Sequence, residues 1–100
     1  MCILCNSMIL NNEELISKFE NINCNGCSNI TSIKKFKYSN YIKTLNLSNC
    51  INLTNINDDN GLNNLNNLNL ENCKLLTLLP KFKNIKILNI NNTSIMNINN

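Results

Sequence analysis

The sequence predicts an α/β fold in which short parallel strands from consecutive repeats stack into one sheet. Three observations support this prediction. One apolar pattern recurs along the chain, the spacing of its apolar residues changes within each repeat, and the first 18 residues depart from the pattern and carry a helix-start signal. Because 100 residues is near the size at which one core becomes self-sufficient, we expect a single domain.

The repeat is clearest in the middle of the chain. Residues 42–56 and 65–79 both read I/L-x-x-L-x-L-x-x-C-x-x-L-x-x-I/L. The same template fits residues 19–33, which lie 23 positions earlier, and a fourth repeat at residues 85–98 follows after 20 positions and is one residue shorter after Thr93. Self-similarity at a period of this size indicates a stacked repeat architecture.

The spacing of apolar residues changes within each repeat. Leu45 and Leu47 alternate with period two, which predicts a short strand that points both side chains inward. Leu53 and Ile56 lie three residues apart, which suits an irregular or 3₁₀-like return segment. One repeat cannot cover its own apolar face, so neighbouring repeats are expected to stack with their strands about 4.8 Å apart.

These residues resemble the leucine-rich repeat family, whose motif is L-x-x-L-x-L-x-x-(N/C)-x(x)-L. The resemblance covers residues 19–98, and Leu79-Pro80 followed by Phe82 and Ile85 is similar to a join between repeats in that family. The Asn/Cys column of the motif holds Cys27, Cys50, Cys73 and Thr93. The resemblance implies a solenoid of about four repeats, a short right-handed horseshoe segment with its parallel sheet on the concave face.

The asparagine of the family motif is displaced in this chain. It lies one position early, at Asn49, Asn72 and Asn92. The usual ladder of asparagine hydrogen bonds is therefore not expected in its normal place. We expect the small Cys and Thr side chains of the motif column to donate to backbone carbonyls at the turn.

Residues 1–18 do not fit the template and are predicted to form an N-terminal cap or irregular segment. Asn11 or Asn12 followed by Glu14 resembles a helix start. Helical spacing continues at Leu15, Ile16 and Phe19. The repeats then occupy residues 19–100.

At the other end, no polar cap follows Ile98. Leu88, Ile90, Ile95 and Ile98 are therefore expected to lack a covering layer, and the final strand to present an open edge. We expect the chain either to fray from about residue 85 onward or to self-associate through this uncapped C-terminal repeat.

Cys2, Cys5, Cys24 and Cys27 form two C-x-x-C pairs, a spacing typical of four-thiolate zinc sites. The repeat already explains Cys24 and Cys27, which fill patterned columns. Buried or capping thiols are therefore the favoured interpretation, and no cofactor or metal is predicted. A small zinc-binding module stays open as an alternative, while the lack of a signal peptide disfavours disulfides.

Catalytic groups are scarce in this sequence. There is no His and no Gly-rich phosphate loop, so a Cys nucleophile would lack its usual imidazole base. Asp58-Asp59 and Glu13-Glu14 are adjacent acidic pairs that suit turns and helix starts. We expect that the protein is not an enzyme.

The candidate functional surface is the concave face, where the resemblance implies that a protein partner binds. The residues expected there are Asn21, Asn23, Asn25, Thr44, Asn46, Ser48, Asn67, Asn69, Glu71, Ile87, Asn89 and Asn91. Stacking would align Asn23, Asn46, Asn69 and Asn89 as a column of amides able to bond one another or a partner's backbone. Because 27 of the residues are Asn, composition alone could also place Asn at exposed sites, and a purely structural segment of a longer repeat protein is the other alternative.

Charge and hydropathy narrow the kinds of partner. The net charge of +3 comes from nine Lys without any Arg, and only five residues are aromatic, which disfavours nucleic acid. No apolar run approaches the roughly 18 residues that span a bilayer, so no membrane partner is expected. Without a signal peptide the protein is expected in the cytoplasm, and in the host cytoplasm if the Asn-rich composition reflects a viral source.

Overall fold

The computed structural model describes residues 3–5, 8, 12–33, 39–56 and 62–98. Within them it contains helix α1 (Glu13–Ile16), 3₁₀ helices at Ile3–Cys5 and Ser39–Tyr41, and eight short strands. The strands are β1 (Asn21–Asn23), β2 (Ser32–Ile33), β3 (Thr44–Asn46), β4 (Asn55–Ile56), β5 (Asn67–Asn69), β6 (Leu78–Leu79), β7 (Ile87–Asn89) and β8 (Asn97–Ile98). The chain is therefore a small α/β domain, as the sequence predicts.

Consecutive repeats supply consecutive strands of one parallel sheet. Its order is β1-β3-β5-β7, and its register pairs Ile22 with Leu45, Leu45 with Leu68, and Leu68 with Leu88. These are equivalent positions of the sequence pattern. The 23-residue period, and the 20-residue step into the fourth repeat, are thus the distances along the chain between neighbouring strands.

The return segments pair as well. Parallel strands β2 and β4 form one two-stranded sheet, and β6 and β8 form another. The expectation of an irregular or 3₁₀-like return was therefore wrong at these positions. Backbone pairing between repeats explains the difference, because the Thr54 N–H donates to the Thr31 carbonyl at 2.8 Å and extends both segments.

The core lies between the four-stranded sheet and the return segments. Leu45, Leu47, Leu68 and Leu70 are all buried, which confirms the inward direction predicted from their alternation. The fourth repeat is less enclosed, since Leu88, Ile90 and Ile95 are only partly buried. The remaining core side chains are Ile16, Ile22, Cys24, Ile30, Ile33, Ile42, Cys50, Leu53, Ile56, Leu65, Cys73, Leu76 and Leu79.

Helix α1 packs beside the first repeat. Asn12 is its N-cap and accepts from the Leu15 N–H at 3.2 Å, as the sequence predicts, while Ile16 is fully buried in the core. The Tyr41 hydroxyl donates to the Glu13 carboxylate at 2.9 Å and links the helix to the start of the second repeat. Asn11, the other candidate cap, lies outside the described residues. None of the helices in the described ranges is long and apolar enough to cross a membrane.

Candidate functional site

The outer face of the four-stranded sheet carries two aligned rows of side chains. In each strand the middle residue points into the core, so the residues on either side of it point outward. The register aligns Asn21, Thr44, Asn67 and Ile87 in one row, and Asn23, Asn46, Asn69 and Asn89 in the other. An open depression of about 270 Å³ lies over β1, β3 and β5 and is lined by six of the twelve expected surface residues together with Ile22 and Leu45. We call these two rows the amide face.

The second row of the amide face also holds the turn that ends each strand. The Oδ1 atom of each asparagine accepts from the backbone N–H two residues later. The distances are 3.0 Å to Asn25, 2.9 Å to Ser48, 3.0 Å to Glu71 and 3.0 Å to Asn91. An asparagine that bonds its own backbone in this way mimics a turn and stops the strand.

Of the two kinds of bonding that the alignment allows for this column, bonding of the amides to one another does not occur. Asn23, Asn46, Asn69 and Asn89 are aligned as predicted, yet their oxygens are used within their own repeats. Across the described residues, their Nδ2 groups make no protein hydrogen bond, so the amino half of each amide can donate to another molecule.

A ladder of amide–amide hydrogen bonds lies nearby, at the displaced asparagines. Nδ2 of Asn49 donates to Oδ1 of Asn25 at 2.9 Å, Asn72 donates to Asn49 at 2.7 Å, and Asn92 donates to Asn72 at 3.0 Å. Asn49, Asn72 and Asn92 have φ of 60°, 65° and 60°, and Gly26 fills the same column with φ of 76°. Asn and Gly tolerate this left-handed conformation best, which explains why Asn lies one position early.

The motif column of Cys and Thr supports the same turns from inside. The Cys50 thiol donates to the Cys24 carbonyl at 3.2 Å, the Cys73 thiol to the Leu47 carbonyl at 3.1 Å, and the Thr93 hydroxyl to the Ile90 carbonyl at 2.8 Å. This confirms the expected donation to backbone carbonyls for these three of the four residues in the column. Burial raises the pKa of the Cys73 thiol, a change partly opposed by a backbone hydrogen bond from Cys50, so the thiol keeps the proton that it donates.

Ser48 does not lie on the accessible surface where it was expected. It is only 5% exposed, and both its N–H and its hydroxyl donate to Oδ1 of Asn46. The tight turn after β3 draws this small side chain against the backbone. The equivalent positions in the other repeats stay accessible, since Asn25 and Asn91 are exposed and Glu71 is partly exposed.

The amide face is uncharged within its strands. Its nearest ion pair joins Lys43 to Glu20 at 3.4 Å, one residue before β3 and β1 begin. Both side chains are more than half exposed, so this pair contributes little to stability. Ile87 is 61% exposed and gives the face an apolar end on β7. The chemistry of the face is therefore amide and hydroxyl hydrogen bonding beside one apolar side chain.

Of the four cysteines of the zinc hypothesis, the structure describes three, and these three are not grouped as metal ligands. Sγ of Cys5 lies 3.6 Å from Sγ of Cys27, but Cys24 is buried in the core and Cys2 lies outside the described residues. In the part of the chain that the structure describes, no three side chains of His, Cys, Asp or Glu are grouped to hold a metal ion.

The two acidic pairs do not form a site that the structure shows. Asp58-Asp59 lies outside the described residues, and Glu13, at the start of α1, accepts a hydrogen bond from the Tyr41 hydroxyl.

Comparison of the chain with protein-family models, with curated proteins and with solved structures found no match.

Proposed function

We propose that this chain is a leucine-rich repeat solenoid that binds a protein partner through the amide face, with that face on the concave side. The observation that carries the proposal is the row of four asparagines whose oxygens are fixed within the turns while their amino groups are left to donate. Such a row supplies hydrogen-bond donors at the spacing of adjacent strands, about 4.8 Å.

The repeated turn supports the solenoid part of the proposal. Each repeat ends its strand with an asparagine turn and continues through a left-handed Asn or Gly. In the second, third and fourth repeats, Cys50, Cys73 or Thr93 then donates to a carbonyl. Because the carbonyl acceptors of Cys50 and Cys73 belong to the preceding repeat, the motif residues join neighbouring units. This is the role expected of the Asn/Cys column in a stacked repeat.

The chemistry of the face indicates what the partner must offer. Fixed Nδ2 donors on Asn46 and Asn69 require acceptors, and backbone carbonyls of an exposed loop or strand supply them without charge. Ile87 adds an apolar contact at one end. Polar faces of this kind lack the aromatic anchors typical of tight interfaces, so we propose a moderate affinity.

We propose that the chain binds its partner without catalysing a reaction, and that it does so in a reducing compartment, the cytoplasm. Cys50 and Cys73 support the reducing compartment, since a thiol can donate a hydrogen bond to a carbonyl and a disulfide sulfur cannot.

The test is affinity capture from cell lysate with the wild-type chain and a variant of the amide face, Asn67→Lys. Asn67 lies at the centre of the first row, between Thr44 and Ile87, so a lysine there would place a long charged side chain across the face. We expect the amount of each protein captured by the wild type to fall at least tenfold with Asn67→Lys.

A matched control is Asn55→Lys. Asn55 is an exposed strand residue on β4, away from the amide face. We expect this variant to capture the same proteins as the wild type, with both variants melting within a few degrees of it. Capture that Asn67→Lys leaves intact, or that Asn55→Lys removes equally, would contradict the proposal.

A further inference from the structure

The thiols of Cys5 and Cys27 lie together where the N-terminal segment meets the first repeat. Their Sγ atoms are 3.6 Å apart, in hydrogen-bond contact, and both side chains are partly exposed. The sulfurs of a disulfide lie about 2.05 Å apart. A small side-chain movement would therefore bring these two sulfurs to bonding distance.

Cys27 differs from the other members of its column. Cys50 and Cys73 are buried, and each donates to a carbonyl of the preceding repeat. Cys27 belongs to the first repeat and meets Cys5 of the N-terminal 3₁₀ helix at this position. Cys50 and Cys73 therefore have a structural role in the core, whereas Cys27, in the same column, is accessible to small reagents.

The reactivity of the thiols should follow this difference between buried and partly exposed cysteines. The thiolate is the nucleophilic form of cysteine, so thiols that burial keeps protonated react slowly. Burial raises the pKa of Cys73, and its thiol donates a hydrogen bond to the Leu47 carbonyl. Oxidation is therefore expected to bypass the core cysteines and to select the exposed pair.

We propose that Cys5 and Cys27 form a reversible oxidation site, at which a peroxide converts the two thiols into a disulfide. One thiolate attacks a peroxide oxygen, the O–O bond breaks, and protonation of the leaving oxygen gives a sulfenic acid and water. The second thiolate attacks the sulfenic sulfur, so the S–S bond forms as the S–O bond breaks and a second water leaves. In sum, two thiols and one hydrogen peroxide give one disulfide and two waters, and a dithiol reductant reverses the change.

The disulfide would fasten the N-terminal segment to the first repeat. Ile3 and Leu4 pack against the core beside Cys5, and the two cysteines are 22 positions apart in the chain. A cross-link over a loop of this length removes freedom from the unfolded chain. We therefore expect the oxidised protein to melt about 10 °C above the reduced protein.

The experiment treats the reduced full chain with stoichiometric hydrogen peroxide, alkylates the remaining thiols and maps the products by mass spectrometry. We expect a Cys5–Cys27 disulfide, with alkylated Cys24, Cys50 and Cys73 once the protein is unfolded, and full recovery of thiols after dithiothreitol. Because the mapping is done on the wild type, it does not depend on any variant's folding.

Three variants sharpen the test. Cys5→Ser and Cys27→Ser should each lose the mapped bond and the rise in melting temperature, whereas Cys2→Ser should keep both. A bond to any other cysteine, loss of the bond in Cys2→Ser, or an oxidised form that melts no higher than the reduced form would overturn the proposal. One zinc ion bound per chain that protects Cys5 and Cys27 from alkylation would overturn it as well.

Discussion

Asparagine has different roles at different positions of the repeat. Asn69 ends β5 by accepting from the Glu71 N–H, and Asn72 adopts a left-handed conformation and extends the amide ladder. Asn64 donates from Nδ2 to the Asn40 carbonyl at 2.7 Å, in the segment before the second repeat. Composition gave no reason to single out any one of the 27 asparagines. Their positions in the repeat distinguish the roles.

Substitution of Asn72 separates its two contributions. Asn72→Ala loses the ladder bonds to Asn49 and Asn92 and forces Ala into φ of 65°, so we expect a loss of about 2–4 kcal/mol in the free energy of unfolding. Asn72→Gly removes the same bonds and relieves the backbone strain, so it should lose about 1 kcal/mol less than Ala. Urea melts measure both values, and an Ala variant as stable as the Gly variant would contradict the left-handed assignment.

At the scale of the element, each strand of the four-stranded sheet has one inward side chain between two outward ones. Leu68 is the inward residue of β5 and is 1% exposed, while Leu78 in β6 is 68% exposed. Both are leucines in short strands, and only their direction differs. They therefore form a matched pair for testing which face of each strand the core occupies.

Leu68→Ala should lower the free energy of unfolding by roughly 2–5 kcal/mol, because it removes buried methyl groups and leaves a cavity. Leu78→Ala should change it by less than about 0.5 kcal/mol, because its side chain is mostly in water. The measurement is chemical denaturation monitored by circular dichroism. Equal losses from the two substitutions would show that the strand register is wrong.

The sequence predicted the strands, their parallel order and the inward leucines. This was possible because burial of side chains in a shared core directly determines both the period-two alternation and the fixed repeat length. The return strands were missed, since β4 and β6 are held by backbone pairing between repeats that no side-chain pattern records. The burial of Ser48 was missed for a similar reason, because a turn formed by Asn46 decides it. The repeated Asn at positions 49, 72 and 92 was the signal for the ladder. Gly26 occupies the same position in the first repeat, which indicates that this position requires a left-handed conformation.

At the scale of the whole molecule, enclosure decreases from the second and third repeats to the fourth. Leu68 and Leu70 are buried, whereas their counterparts Leu88 and Ile90 are partly exposed, and β7 is an edge strand of the described four-stranded sheet. A partly exposed apolar layer beside a strand edge favours pairing with another chain.

We therefore predict that the isolated chain either self-associates through the fourth repeat or frays there. Sedimentation over a wide concentration range would detect the first outcome, and fast amide hydrogen exchange at Leu88 and Ile90 in a monomer would detect the second. A strict monomer with strongly protected amides at both residues would contradict the prediction.

The amide face exists only if the repeats stack in the register described, so the most direct test measures the hydrogen bonds that join them. In the structure the Leu47 N–H donates to the Asn69 carbonyl and the Leu70 N–H to the Asn89 carbonyl, each at 2.8 Å. Nuclear magnetic resonance can detect such bonds as scalar couplings between the amide nitrogen and the carbonyl carbon. We predict couplings from Leu47 to Asn69 and from Leu70 to Asn89. Couplings to residues one position away, or none between repeats in a folded sample, would contradict the stacked arrangement.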